Sequence, residues 1–221
     1  MISLKNVSKQ YTLSDEVFFA LKNVSLNIDE GEFTGIVGPS GCGKSTLMHL
    51  IGLLDQPTNG QVKILGRDVS TIKDDERSKM RNQVIGFIFQ QFNLLNKLTI
   101  LENVLLPTIY NRQKNGIDYQ DKALLLLRRF GIEKQIYSYP NKISGGQQQR
   151  VAIARALINN PKIILADEPT GNLDSQSGKI ILDLLHDLNI KDKITVIIVT
   201  HDKDIAKKTK RQIRLKDGEI V

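Results

Sequence analysis

Residues 38–46 read Gly38-Pro39-Ser40-Gly41-Cys42-Gly43-Lys44-Ser45-Thr46. Gly38, Gly43, Lys44 and Ser45 fit the spacing G-x-x-x-x-G-K-[ST], which is a phosphate-binding pattern for a physical reason. A glycine-rich loop can turn several backbone N–H groups inward, because glycine accepts positive φ and close approach. Lys44 then supplies a point charge for the β- and γ-phosphates, and the Ser45 hydroxyl can ligate Mg²⁺. The flanks fit. Glu32-Phe33-Thr34-Gly35-Ile36-Val37 reads as a short buried strand, and the apolar stretch Leu47 to Leu54 as a buried helix. A loop that opens a helix also directs the positive helix end at the anion.

Working outward, the order of the remaining elements predicts an α/β fold. Ile2 to Val7 alternates apolar and polar residues and predicts a half-buried strand, with Tyr11 in a polar turn after it. Val17 to Leu21 and Val24 to Ile28 predict two further strands, which gives an antiparallel β layer at the N-terminus. Gln61 to Gly66 predicts a strand, Asp74 to Arg81 a charged helix, and Val84 to Phe89 a buried strand ending at Gln90. From about Thr99 to about Asn159 the patterns are helical, with capping boxes at Thr99-Ile100-Leu101-Glu102 and Ser144-Gly145-Gly146-Gln147. Lys162 to Ala166 and Thr195 to Val199 are wholly apolar strands around a helix at Ser177 to Leu188, which argues for parallel pairing. Arg211 to Val221 predicts a closing hairpin around Asp217-Gly218. The expectation is a P-loop NTPase core with a mixed sheet, an N-terminal antiparallel β layer and an inserted α-helical subdomain. It forms one domain over residues 1–221, with the core at 1–90 and 159–221 and the helical subdomain at about 91–158.

The 221 residues suffice for a sizeable core, and 40% hydrophobic with 25% charged residues gives a soluble globular class. No apolar run approaches the roughly 20 residues of a spanning helix. Met1 to Lys5 has no apolar signal region, so a cytoplasmic protein is expected. The single cysteine, Cys42, excludes an internal disulfide framework and a cysteine-based zinc site. It is read as a small residue fitting the loop, so a thiol adduct there would occupy phosphate space. A net charge of +7 fits nucleotide, nucleic acid or an anionic membrane surface, and does not choose among them.

Four further constellations carry chemistry. Ile163-Ile164-Leu165-Ala166-Asp167-Glu168 is an apolar strand ending in carboxylates, the Walker-B arrangement. Asp167 can hold Mg²⁺, and Glu168, one residue on, can polarise an attacking water. Ile143-Ser144-Gly145-Gly146-Gln147 is a helix start whose two glycines cost helix stability. They make sense where phosphate approaches the backbone of the helix end. One phosphate loop plus a second phosphate-binding helix end suggests two chains sharing a nucleotide. Gln90 and His201 each follow a buried strand. Gln90 alone would pass for an ordinary strand end, whereas His201, after Val196 to Thr200, is a candidate to touch a γ-phosphate.

Together these residues resemble the ATP-binding-cassette family, over essentially the whole chain and in the family's order. The resemblance implies that Tyr11 stacks on adenine, that Gly38, Pro39, Ser40, Gly41, Cys42, Gly43, Lys44, Ser45 and Thr46 bind the phosphates, and that Gln90 senses Mg²⁺, water and a transporter partner. Asp167 becomes a metal-binding aspartate, Glu168 the catalytic base and His201 the switch histidine. Asn172-Leu173-Asp174 becomes the D-loop, with Asp174 at the nucleotide. It implies ATP and Mg²⁺ as ligands and a head-to-tail dimer with two sandwiched ATP, each completed by Ser144, Gly145, Gly146 and Gln147 of the other copy. A separate integral-membrane permease is the implied partner, with the chain peripheral on the inner face of the membrane and no nucleic acid expected. Ile143 stands where leucine is usual. Gly171 to Asp174, with Phe89 to Leu94, is similar to the branch of lipoprotein-release, macrolide-export, cell-division and antimicrobial-peptide-resistance ATPases. The alternative of a DNA-repair or chromosome-maintenance ATPase would need a long coiled coil or zinc module. A GTPase switch would need an Asn-Lys-x-Asp that Asn141-Lys142-Ile143-Ser144 lacks.

Overall fold

The computed structural model describes residues 1–13, 16–110, 116 and 118–221. Strands β1 (Ile2–Leu13), β2 (Glu16–Ile28), β4 (Asn59–Ile64) and β5 (Arg67–Asp68) pair antiparallel in the order β2-β1-β4-β5. A second sheet runs β10-β9-β3-β8-β7-β6, from β10 (Glu219–Ile220), β9 (Arg211–Lys216), β3 (Phe33–Val37), β8 (Thr195–Thr200), β7 (Ile163–Asp167) and β6 (Ile85–Phe89). All its pairings are parallel except β9 with β10. The fully apolar strands thus occupy the centre, as parallel pairing requires when both faces are covered.

The two-residue period of a strand divides the interior. Ile163, Leu165, Ile197 and Val199 enter the core shared with the antiparallel sheet and helix α1 (Lys44–Ile51). Ile164, Ala166, Val196 and Ile198 enter a second core. That core is closed by α3 (Ile100–Leu105), α4 (Tyr119–Arg129), α5 (Gly145–Leu157) and α6 (Ser175–Ile190). Each such valine, leucine or isoleucine side chain contributes about 1.5–3 kcal/mol on burial. The charged helix α2 (Asp74–Val84) has no buried residue, and α7 (Lys203–Lys207) follows β8. The boxes at Thr99/Glu102 and Ser144/Gln147 form as expected, and Asp118, Asp174 and Asp202 cap α4, α6 and α7. Each cap is worth about 1 kcal/mol. Among the described residues no helix is long and apolar enough to cross a membrane.

Three local expectations need correction. Tyr11 is not in a turn: β1 continues through it to Leu13, paired with β2. The stretches 17–21 and 24–28 are one strand, not two. Register shifts absorb the irregularity, with Asn6 and Asn23 at φ 50, a conformation asparagine accepts more readily than most residues. Helix α1 starts at Lys44 and ends at Ile51, where Gly52 caps it and Leu53 turns to φ 58.

Candidate active site

The phosphate loop joins β3 to α1 and is held from behind by two other strands. A Cβ on Gly38 would stand 2.2 Å from the Leu215 carbonyl oxygen, and one on Gly43 2.4 Å from that of Ala20. Glycine is required at both positions, at Gly43 also because φ is 103°. Lys44 folds across the loop, its Nζ donating to the carbonyls of Gly38 at 2.9 Å and Pro39 at 2.7 Å. Helix α1 has no side-chain cap and no acidic residue in its first turn. Its N–H groups and positive end are therefore available to an anion. Ser45 is exposed, whereas the Cys42 thiol is buried in the core with Ile36 and Leu215. An adduct on Cys42 would enter core space, not phosphate space, and Cys42 can serve an anion only through its backbone.

Asp167, Glu168 and His201 lie where β7 and β8 end, beside the loop. Burial first, then the charge of Glu168, pushes the Asp167 carboxyl above the ordinary carboxylate range, while His49 and Lys44 pull against them. Glu168 has φ 43, a strained conformation for a side chain of this size. The turn is fixed by Glu168 N–H donating to Val199 O at 2.9 Å and Gly171 N–H donating to Glu168 O at 3.0 Å. The bend aims the carboxylate at the end of β8. There it accepts from the His201 N–H at 2.9 Å and the Thr200 hydroxyl at 3.1 Å, and meets His201 Nδ1 at 2.6 Å. The carboxylate is thus oriented by three groups while part of it remains open to solvent.

Gln90 is exposed; its side-chain amide donates to Asn172 Oδ1 at 3.1 Å, and the Asn172 amide donates to the Gln90 backbone carbonyl at 3.0 Å. The segment after β6 and the turn before α6 are therefore tied together. Ser144 caps α5, and its own N–H is capped by Gln147 Oε1 at 2.9 Å. Gly145 packs against Leu173 and Phe92, and a Cβ on Gly146 would lie 2.9 Å from Ser177 Oγ. Helix packing therefore supplies a reason within the chain for Gly146, whereas a side chain at Gly145 would make only ordinary contacts. No described contact joins residues 144–147 to the phosphate loop, so a single chain does not bring these two regions together. Asp174 caps α6 through Gln176 and Ser177, and the backbone bond from Ser177 leads in holding its carboxyl below the usual value.

Tyr11 belongs to a network that sequence reasoning missed. Its hydroxyl donates to Asp55 Oδ2 at 2.8 Å, Lys9 Nζ meets Asp55 Oδ1 at 2.6 Å, and the same ammonium stands 4.9 Å from the ring centroid. Burial and Asp55 raise the Tyr11 phenol, against a smaller opposing contribution from Thr46. Arg155 was also missed. Its guanidinium donates to the carbonyls of Phe92 and Asn93, both at positive φ, and burial lowers it to about 10. An arginine at helix spacing gave no signal for this, because its partners are backbone atoms distant in sequence.

Residues 21–171 match the model of the ABC transporter family. The chain belongs to that family. It is 54% identical to the ABC transporter ATP-binding protein MJ0796 of Methanocaldococcus jannaschii, over 100% of this chain and 95% of that one. It is 48% identical to the ABC transporter ATP-binding protein YvrO of Bacillus subtilis, over 100% and 96%. The match to the macrolide export ATP-binding/permease protein MacB of Bdellovibrio bacteriovorus is 52% and covers all of this chain but 33% of MacB. The chain is also similar to a solved structure, a dimeric post-hydrolysis state of the MJ0796 cassette bound to ADP and Pi. The TM-score is 0.91 at 52% identity, covering 100% and 96% of the two chains. The P-loop NTPase fold stands with that likeness, and the chain is an ATP-binding, transporter-type ABC ATPase. The repair and GTPase alternatives are not favoured.

Proposed function

We propose that this ABC ATPase drives a separate integral-membrane permease of the export or mechanotransmission type, as a head-to-tail dimer enclosing two ATP. The loop from Gly38 to Thr46 binds the phosphates, and Tyr11 presents its ring to the base. Mg²⁺ fits the oxygen donors at hand: the exposed Ser45 hydroxyl, the Asp167 carboxylate at the end of β7, and the Gln90 amide. Among the described residues no cluster of three or more His, Cys, Asp or Glu could chelate a metal ion, which suits a cation that also takes phosphate oxygens. When bound, Mg²⁺ supplies charge neutralisation on the phosphates. Glu168 accepts the proton of the attacking water, and His201 orients that carboxylate and faces the γ-phosphate. Ser144, Gly145, Gly146 and Gln147, with Asp174, meet the nucleotide held by the other copy.

The observation that carries this reading is the left-handed Glu168 with its carboxylate bonded to His201 and Thr200. The helical subdomain, about 91–158, is inserted between the core segments 1–90 and 159–221, and it receives the permease. A groove of ≈1030 Å³ between these two parts, lined by Phe87 and Phe89 from the core and by Pro107, Ile109, Tyr110 and Arg155 from the helical side, supports that assignment. The chain then sits on the inner face of the cell membrane through its partner, and nucleic acid has no part in the cycle. MJ0796-like chains of similar length support a separate cassette, and MacB supports export as the task. Glu168→Gln is expected to retain ATP and lose hydrolysis by ~10³-fold, the scale of a general base. Undiminished turnover would remove Glu168 from that role. Membranes solubilised around the ATP-held variant should yield a permease, and recovery of soluble partners alone would contradict the transport assignment.

A further inference from the structure

Gln149 lies on α5, five residues after Ser144, and is wholly buried. Its Nε2 donates to the Pro169 carbonyl at 2.5 Å and, at a longer 3.4 Å, to the Phe89 carbonyl. Pro169 directly follows Glu168, and Phe89 directly precedes Gln90. Among the described residues its buried Oε1 has no hydrogen-bond partner. A buried acceptor left unpaired detracts from stability, and such a group calls for an explanation. An apolar side chain of the same shape would fill the space without that orphan, so packing alone does not account for a glutamine here.

We infer that Gln149 is a positioning residue for Glu168, clamping the Pro169 carbonyl and the end of β6 to helix α5. The Glu168 turn has two other backbone ties, to Val199 and Gly171, and both lie on the side of the sheet and the turn itself. Gln149 supplies a tie from the helix that carries Ser144. A shift of α5 therefore reaches Glu168 through one amide, chiefly by the shorter bond to Pro169. This rests on the reading of Glu168 as the base. A base displaced by about 1 Å can lose up to about 100-fold in rate with no change in ground-state binding.

The test is a double-mutant cycle on the full chain, with Gln149→Met, Glu168→Gln and the pair. Gln149→Met is expected to lower kcat for ATP ~10- to 100-fold with KM unchanged and a melting midpoint within about 4 °C of the parent. On the Glu168→Gln background it should lower the residual rate no further, because its target is already removed. A single variant with kcat unchanged, or one that loses the same factor on both backgrounds, overturns the inference while leaving Glu168 in place. Undiminished hydrolysis by Glu168→Gln alone overturns the base reading and this inference with it. If Gln149→Met does not fold, Gln149→Leu removes both donors with a smaller apolar side chain. The same fall in kcat is expected of it, and an unchanged kcat counts against the clamp.

Discussion

Helices α1 and α5 both carry glycine at their N-terminal ends, Gly43 capping one and Gly145 opening the other, and they are finished in opposite ways. At α1, Gly43 occupies the N-cap in the left-handed region, no side chain caps the N–H groups, and Lys44 is already folded over the loop. At α5, Ser144 and Gln147 cap each other's backbone. The two bonds of that box go to the amides of Gln147 and Ser144, and neither serves Gly145 or Gly146. The first helix end is left uncapped within one chain, as the proposed anion cradle needs. The second is stable by itself, yet keeps two glycine amides at an exposed end. Under the proposed function, a cradle complete within one chain is expected to bind nucleotide before assembly. A capped end can wait for a nucleotide brought by another copy.

Substitutions that treat the two ends differently sharpen the contrast. Lys44→Ala should have the largest effect, a ~10³-fold loss of hydrolysis with loss of ATP binding by the single chain, read by equilibrium dialysis. Unchanged binding would mean that α1 alone suffices. Ser144→Asp retains a good cap, so its melting midpoint should stay within about 4 °C. Its carboxylate would repel the nucleotide of the other copy, and hydrolysis should fall ~10²-fold while single-chain ATP binding persists. Parent-like turnover would reduce Ser144 to a capping role.

Further from the phosphates the expected effects shrink. Tyr11→Phe keeps the ring but frees it from Asp55, and should raise KM for ATP about fivefold at constant kcat, the worth of one hydrogen bond. A fall in kcat instead would place Tyr11 in the chemistry. The smallest effect concerns stability. Burial and Glu168 raise the Asp167 carboxyl, so the folded state holds its proton more tightly than the unfolded state does. The cost of ionising it in the fold is absent below the unfolded carboxylate value near 4 and is felt fully above the raised one. Asp167→Asn should therefore raise the melting midpoint of the nucleotide-free chain by about 2 °C at pH 8, partial exposure keeping the gain small, and leave it unchanged at pH 3. A lowered midpoint at pH 8 would contradict the direction of that shift.

The sequence made the parallel core and the phosphate loop legible, because wholly apolar strands and fixed spacings leave few arrangements. The strand ends at Asp167 and Thr200 followed from the same pattern. Residues 8–12, polar and without clear alternation, concealed the extension of β1, since register shifts blur a period-two signal. Gln149 was invisible as one of three successive glutamines, and only the tertiary contacts with Pro169 and Phe89 distinguish it. Lys9 and Asp55 gave no signal either, because 46 residues separate the ion pair.

The most direct test of a shared nucleotide is the mass of the Glu168→Gln chain by light scattering, with and without ATP, alongside the bound nucleotide count. A monomer without ATP and a dimer holding two ATP is the expected result, with Ser144→Asp on the same background remaining monomeric while still binding ATP. A chain that stays monomeric at saturating ATP, or a dimer indifferent to both ATP and Ser144, would contradict it.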